Sequence, residues 1–422
     1  MDKNSMKKYL QYGYILLFVI LLGCGIDWGI YRMSHKKTKE QELRESQLPF
    51  GDYLPNSNNP LIRVVLQTTG YRGIFHNEVR YDIGEGETTI YPDDVRFQEG
   101  SIKINPGENQ TITILSIERG QGCPTYQGMM ELYATVEGIV IVNELPVETY
   151  LKAVVPSEMP ASYEVEALKC QAICARSYAY CQMETFAYPI YFAHVDDSVS
   201  FQVYGNAKET ERTNLALSET TGEKLTYRDN VIKTYYYSTS SGHSTSIEAW
   251  GSELCEENQY LCGVSLMKED GTAYEETLPW YRWTVTLSEE ELTNLLELNS
   301  GQELGTLKEI KVTKRGVGDV ALQLVVEGTK GKLIVETENK IRALLGDGDF
   351  QIVKQDGKGV KCGKLLPSAF FSIAKNGRSY IIKGKGYGHG IGMSQNGANE
   401  MAKTGMSYKE ILTYFYPGTK VQ

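Results

Sequence analysis

Positive charge is not in excess in this chain: 43 lysines and arginines stand against 53 aspartates and glutamates, a formal net charge of −10. A general polyanion binder is thereby excluded, because nucleic acid calls for a basic surface. One local basic stripe remains compatible with an acidic whole. The 8 cysteines contain no Cys-x-x-Cys pair, and no paired histidine spacing accompanies them, so no metal site is expected. Gly-x-Ser-x-Gly is absent, and no Asp is placed to complete a triad with a Ser and His. Glycine-rich sequence occurs, but without a following Gly-Lys-Ser/Thr and without βαβ context, which removes a nucleotide loop. No cofactor is implied. Internal repeats, coiled coils and low-complexity tracts are lacking. Tryptophan is scarce, 4 residues against 29 tyrosines; tyrosine suits both strands and surfaces that hold polar polymers.

What is present is a globular composition, 41% hydrophobic and 23% charged over 422 residues, long enough for two or three domains or one domain with an insertion. Lys3, Lys7 and Lys8 precede an apolar run from Tyr12 to Ile26, which Asp27, Arg32, His35, Lys36 and Lys37 end. Tyrosines and Trp28 at the interfaces make this run sufficient to span a membrane. No small-x-small cleavage site follows it, which favours an uncleaved signal-anchor at residues 1–30 over a removed signal peptide. Leu21-Leu22-Gly23-Cys24 leaves a lipoprotein processing box as the alternative. Residues 31–60 form a polar linker ending in Pro55-Asn56-Ser57-Asn58-Asn59-Pro60.

The remainder, residues 61–422, reads as an α+β fold: a mixed α/β core with a long buried helix, an N-terminal β-rich unit and an inserted α/β subdomain. Short alternating runs place the β-rich part at 61–143. A short helix is predicted near Val147–Val154 and a long one from about Tyr163 to Thr185, with Ser162 as N-cap. Lys208–Thr220 is a further helix, and Glu223–Tyr227 with Val231–Tyr237 forms a hairpin over Asp229-Asn230. The insertion is expected at 280–346, where Ser288-Glu289-Glu290-Glu291 is a capping box. Cys170, Cys174 and Cys181 share one helix face as small buried thiols. Cys255 and Cys262 could form a disulfide or half a metal site.

Three stretches carry the candidate chemistry. Pro156-Ser157-Glu158-Met159-Pro160 sets one carboxylate in a proline-bracketed turn among Val154, Val155 and Met159. Desolvation there raises the acid's pKa and keeps it protonated near neutrality. On the following helix Lys169 and Arg176 are seven residues apart on one face, fit either for a polar or anionic substrate or for pairing with Glu148 and Glu166. The second stretch, Ser238-Thr239-Ser240-Ser241-Gly242-His243-Ser244-Thr245, is a polar turn able to line a cleft. The third, Gly384-Lys385-Gly386-Tyr387-Gly388-His389-Gly390-Ile391-Gly392-Met393-Ser394-Gln395, has glycine at every second position. As an extended strand it has one bare face that another backbone can approach closely.

On these stretches the chain resembles the stage II sporulation protein D family, which shares its domain with the LytB group of cell-wall proteins. The matching segments also include Leu145-Pro146-Val147-Glu148-Thr149-Tyr150-Leu151, Glu166-Ala167-Leu168-Lys169-Cys170-Gln171-Ala172, Ala175-Arg176-Ser177-Tyr178-Ala179, Phe201-Gln202-Val203-Tyr204-Gly205 and Tyr416-Pro417-Gly418-Thr419. The resemblance implies a membrane-anchored lytic transglycosylase that cleaves peptidoglycan glycan strands, preferring strands stripped of stem peptides, outside the cytoplasmic membrane. Sporulation members act in forespore engulfment beside a cell-wall amidase and a membrane anchoring protein. Glu158 falls on the family's catalytic glutamate, and Lys169 and Arg176 on its basic substrate positions. Gln202, Tyr204, Ser240, Ser241, His243, His389, Ser394 and Gln395 are the remaining candidates for substrate binding. Some clostridial members carry a His/Cys zinc site. Here Ser200 and Phe201 stand where ligands would be, and His194 alone cannot hold a metal.

Reaction type follows from counting carboxylates. Hydrolysis of a glycoside ordinarily uses two, roughly 5–9.5 Å apart, and the Glu158 segment offers one. Glu164 and Glu166 are explained by the helix dipole. A lytic transglycosylase manages with one group, closing the substrate's own C6 hydroxyl onto C1. A muramidase and a non-catalytic wall-binding scaffold are the competing expectations.

Overall fold

The alternating runs after Pro60 form the expected β-rich unit. Residues 59–108 and 110–422 are described by a computed structural model; the expected anchor and nearly all of the polar linker lie outside them. Strand Leu61–Leu66 pairs antiparallel with Gly138–Pro146 and parallel with the short Val195–Asp196. Met129–Thr135 and Ile102–Ile104 extend the sheet beyond Gly138–Pro146. The period of two sorts the first strand: Ile62, Val64 and Leu66 enter one apolar cluster, while Val65 joins Val140, Val142 and Ala193 in another. Arg63, buried between them, is neutralised by Glu131 at 2.7 Å and by Glu144. A second sheet of four strands, with Val79–Asp82 and Ile112–Ile114 at its centre, closes the same core.

Strand Gly138–Pro146 leads straight into helix α1 (Val147–Glu158), with Pro146 at the N-cap position in the extended conformation that precedes a helix. Helix α2 (Val165–Gln182) follows. Its first turn is flanked by Glu164, which makes no side-chain cap; the expected Ser162 cap is two residues early. Nearly all of α2 is buried, and the reason is its position between two cores. Leu168, Cys170, Ile173 and Cys174 face one cluster, and Ala172, Ala175, Ala179 and Tyr180 the other. A helix packed on both sides must be apolar all round. Burial pushes the Cys174 thiol up to about 12, so it acts as a packing group.

After helix α3 (Glu211–Glu219), strands Leu225–Tyr227 and Asn230–Val231 form the hairpin. The turn is Arg228-Asp229, one residue earlier than expected, because these two residues carry the positive φ values, 51° and 64°, that a tight two-residue turn requires. The hairpin also ends sooner, and Tyr236–Tyr237 pairs in parallel with Met393–Ser394 instead.

Within 280–346, strand Trp283–Ser288 opens helix α4 (Glu289–Ser300) through the capping box formed by Ser288 and Glu291. Strands Leu307–Arg315 and Ala321–Gly328 form a hairpin, and helix α5 (Glu338–Leu344) closes the block. Trp283–Ser288 pairs outward, with Gln351–Lys354 on one side and Ser379–Gly384 on the other. Helices α6 (Gln395–Lys403) and α7 (Tyr408–Phe415) end the chain. All seven described cysteines are free, so Cys255 and Cys262 are not joined.

The glycine-rich stretch is not an extended strand. Gly386, Gly388, Gly390 and Gly392 have φ values of 73°, 117°, 83° and 74°, so the backbone coils at every second residue. Close approach, the other half of the expectation, does occur: a Cβ on Gly392 would lie 2.1 Å from the Tyr235 carbonyl oxygen. Gly392→Ala is therefore expected to cost more than the 1–2 kcal/mol, roughly, of a left-handed alanine alone. Gly357→Ala, with φ 79° and nothing within 4 Å of the added carbon, should cost about that amount. Thermal unfolding of the two variants checks the difference; equal losses would contradict it.

Candidate functional site

Helix α1 runs through Pro156, Ser157 and Glu158, so the acid sits on a last helical turn, not in a loop between helices. The turn reading rested on two prolines, but a helix's final turn tolerates a residue without an N–H when tertiary contacts hold it. Those contacts come from Ser157. Its hydroxyl donates to Ala153 O at 2.6 Å and accepts the N–H groups of Asn206 and Ala207 at 3.0 and 3.1 Å. The 203–207 loop is thereby laid against the helix end. Val203 N–H then donates to Glu158 Oε1 at 2.6 Å.

The Tyr236 hydroxyl lies close enough to the same carboxyl to pull its pKa down and accepts from Gln202 Nε2 at 3.1 Å. Gln202 also accepts from Tyr150 and donates to Ala175 O. Burial pushes Glu158 up to about 7, against the opposing pull of Val203 N–H and Tyr236. Its residue surface is still partly open to solvent. An acid so placed holds a proton near neutrality, and the two donors await its conjugate base.

The C-terminal motif reaches the backbone of Glu158. Gln395 Nε2 donates to the backbone carbonyl of Glu158 at 3.0 Å and to Gln171 Oε1 at 3.2 Å. Ser394 caps α6 by accepting Gly397 N–H. The Ser394 hydroxyl donates at 2.8 Å to Glu275 Oε1, which also accepts Ser240 N–H at 2.9 Å, and the Ser240 hydroxyl donates to Glu275 Oε2. Glu275 thus ties the serine turn to the C-terminal motif. It is wholly buried, and desolvation pushes it up to about 7 against the pull of these donors. Sequence reading passed over Glu275, which stands between Tyr274 and Glu276 in a polar segment with no motif to mark it. Tyr236 was read only as a strand residue, and nothing but its pairing partner sets it apart.

Several expected substrate contacts have protein partners instead. Arg176 is fully buried; its Nε and Nη2 grip Glu148 at 2.6 and 2.8 Å, and its Nη1 donates to Glu223 O at 3.1 Å. Lys169 bridges Glu166 and Glu219 at 2.8 and 2.7 Å. Both cations thus have carboxylate partners within the protein, including Glu166 and Glu148, the pairing that the sequence left open beside substrate contact. Tyr204 is a core residue, stacked between Tyr126 and Tyr150 with its hydroxyl on Asn143 at 2.6 Å. His389 donates from Nε2 to Tyr236 O at 3.0 Å and accepts Ile391 N–H at Nδ1. Burial pushes it down to about 3, so it is a neutral strut of the tyrosine strand. Ser241 donates to His243 O, and His243 contacts its neighbour's carbonyl, Ser244 O, at 3.3 Å; neither bonds Glu158. His194 accepts Arg63 N–H at 3.0 Å and stacks on Phe186.

The other carboxylates of this region are occupied. Asp197 holds Arg119 at 2.5 Å, Asp196 accepts from Tyr188 and from Ser198 N–H, and Glu166 also accepts Tyr408 N–H. Tyr71 lies in the combined field of Arg119, Asp197, Glu158 and Asp196.

Residues 135–227 match the SpoIID family, described as stage II sporulation protein, and residues 233–392 match a domain of unknown function, DUF8618. The chain is 32% identical over 300 residues to the amidase enhancer of Bacillus subtilis, covering 64% of this chain and 40% of that protein. It thus spans only two-fifths of that relative's length. It is 30% identical over 298 residues to the stage II sporulation protein D of Bacillus subtilis, covering 66% of this chain and 75% of that protein. An uncharacterized protein of Brachyspira hyodysenteriae is 32% identical over 298 residues, with 70% and 72% covered.

The ion pairs predict a graded stability series. Arg176→Ala strands Glu148 in a poorly hydrated place and should cost about 3 kcal/mol or more. Lys169→Ala, whose partners are half in water, should cost less than about 1 kcal/mol. Denaturant unfolding measures both, and a small loss for Arg176→Ala would return that residue to the list of substrate contacts.

Proposed function

The chain belongs to the stage II sporulation protein D family, and from that premise we propose that it is a lytic transglycosylase of peptidoglycan in which Glu158 is acid and then base. The observation that carries this reading is the Glu158 carboxyl, pushed up to about 7 by burial, on a helix-end residue whose surface is still partly open to solvent. A group that must give a proton and then take one works best with a pKa near the working pH. Protonated Glu158 donates to the glycosidic oxygen as the bond from C1 of N-acetylmuramic acid to that oxygen breaks. The resulting carboxylate is received by Val203 N–H and the Tyr236 hydroxyl. It then removes the proton of the sugar's own C6 hydroxyl, whose oxygen bonds C1. The products are a free hydroxyl on the leaving strand and a 1,6-anhydro ring, with Glu158 reprotonated and no water consumed.

Among the described residues, the engagement of Glu275, Asp196 and Asp197 by other groups supports ring closure over hydrolysis. Glu275 is wholly buried with its oxygens filled by Ser240 and Ser394, and Asp196 and Asp197 are held by Tyr188 and Arg119. A relative carries the name amidase enhancer, and by that analogy the chain works beside a cell-wall amidase; the family resemblance adds a membrane anchoring protein and a role in engulfment. We place the domain on the wall-facing side of the cytoplasmic membrane, held by the N-terminal apolar segment.

Purified full-length protein acting on denuded glycan strands should release 1,6-anhydro-muramoyl ends, with no label taken from heavy-oxygen water. Glu158→Gln should abolish release and leave the thermal transition within a few degrees. Labelled reducing ends would show hydrolysis and sink the ring-closure step. The pH profile has a fixed sign. The resting acid must be protonated, so the rate should hold below pH 7 or so and fall about tenfold per unit above it. Glu275 also keeps its proton to about 7; its raised pKa stabilises the fold below the unfolded carboxylate range and that stability is lost as pH rises through 7. Circular dichroism at pH 8 separates the two effects. A rate that rises from pH 7 to 9 in folded protein contradicts the assignment of Glu158 as acid.

A further inference from the structure

A cavity of about 400 Å³ lies along α1, away from the Glu158 carboxyl, and no step of the proposed reaction uses it. Its size is within the range of small-ligand sites. Thr149 and Ala153 form one wall, with Leu145 at its end, and Gln127, Asn206 and Lys208 stand around it. Thr149, Ala153 and Ser157 follow one another at four-residue spacing on one helix face. At a rise of 1.5 Å per residue, Ala153 is about 8 Å and Thr149 about 14 Å from Glu158 along the axis. The cavity is therefore one to two sugar rings from the reacting bond.

Arg119, Gln121, Thr125 and Tyr204 in its lining are engaged within the protein, but four polar groups are not. Within the described protein the Thr149 hydroxyl, the Gln127 carboxamide, the Asn206 side-chain N–H₂ and the Lys208 ammonium bond to no other residue. The Asn206 oxygen is already fixed by Gly120 N–H at 2.8 Å, which leaves its amide as a directed donor. Arg119 in the lining is taken by Asp197, and Lys208 is offset by Glu209, which lines the cavity too, so the lining has no uncompensated charge to select an ion. Carboxamides and a hydroxyl beside apolar Leu145, Ala153 and Pro124 suit a neutral ring with amide and hydroxyl groups on one side. The floor of the cavity also communicates with the acid, because the loop that carries Tyr204 to Glu209 is the one whose Val203 N–H holds Glu158 and whose Asn206 and Ala207 N–H groups hold Ser157.

We propose that this cavity is a remote subsite that binds an N-acetylated sugar ring of the glycan strand, aligning the strand along α1 so that the bond to be cut meets Glu158. The assignment rests on the glycan reading given above. Binding far from the reacting atoms can be spent on the chemical step, so the subsite favours long strands over short ones.

The test uses the full-length chain carrying Glu158→Gln, so that nothing is cleaved, and tri-N-acetylchitotriose as probe, followed by calorimetry. Gln127→Ala and Thr149→Val each remove a hydrogen-bonding group and should weaken binding about 2- to 12-fold. Ala153→Phe, on a half-buried helix position, fills the cavity and should remove binding; unchanged thermal unfolding verifies its fold, and the two milder variants stand if it does not fold. With Glu158 restored, the same changes should erase the advantage of long strands in kcat/KM. Trimer affinity and length preference that are equal in all variants would overturn the subsite while the lytic reading survives in the wild-type product. A chain that binds the trimer through these residues but releases no anhydro ends would keep the subsite and lose the lytic reading. A chain that binds no trimer overturns the subsite.

Discussion

The amide of Gln395 meets the backbone carbonyl of Glu158 at 3.0 Å across 237 residues of sequence, and most of the candidate site hangs on that closure. A glutamate on the last turn of a helix is by itself mobile, since the turn's carbonyls have no intrahelical partners. Gln395 supplies one. Its own position is fixed because Ser394 caps α6, Ser394 is held by Glu275, and Glu275 holds Ser240. The order of bonds runs from the buried carboxylate outward to the acid. Removing an inner link leaves a buried charge or hydroxyl unpaired, which costs more than the bond itself contributes.

The same economy decides what the other polar residues do. A cation or imidazole inside this fold is accounted for by a partner: Arg63 by Glu131, Arg119 by Asp197, Arg176 by Glu148, His389 by Tyr236 O and Ile391 N–H. Glu158 differs. It has a backbone donor and a tyrosine hydroxyl but no ion-pair partner, and desolvation outweighs both. Among carboxyl groups of similar burial, the one without a cation and with an open side is the one with chemistry left to do.

The α+β class, the β-rich start, the buried helix and the Ser288 capping box were legible because each rests on local pattern: period two, period 3.6, or a four-residue cap. What eluded the sequence rests on distant partners. The pairs Lys169–Glu166 and Arg176–Glu148 were open to the sequence as one of two readings, but the further partners Glu219 and the Glu223 carbonyl, contributed by α3 and the segment after it, cannot be found by spacing. The alternation of glycine has two solutions, a strand with a bare face or a coil with a left-handed residue at each second step. Only the proximity of Tyr235, Tyr237, Thr239 and Phe370 selects the second. Glu275 has no local signature at all, because its importance comes from Ser240 and Ser394.

The last constraint concerns proton traffic. Two buried carboxyls, Glu158 and Glu275, sit near 7 for the same reason, desolvation, yet they cannot serve alike. Glu275 faces Ser240 and Ser394, whose hydroxyls are themselves buried, so no substrate oxygen can reach it. Glu158 stands on a helix end whose residue surface is partly open, and Val203 N–H, with the Tyr236 hydroxyl beside it, is placed to meet the anion that proton loss creates. A donor already in place before the charge develops costs no reorganisation at that moment. The difference between a carboxyl sealed among hydroxyls and one at a partly open helix end follows from packing alone.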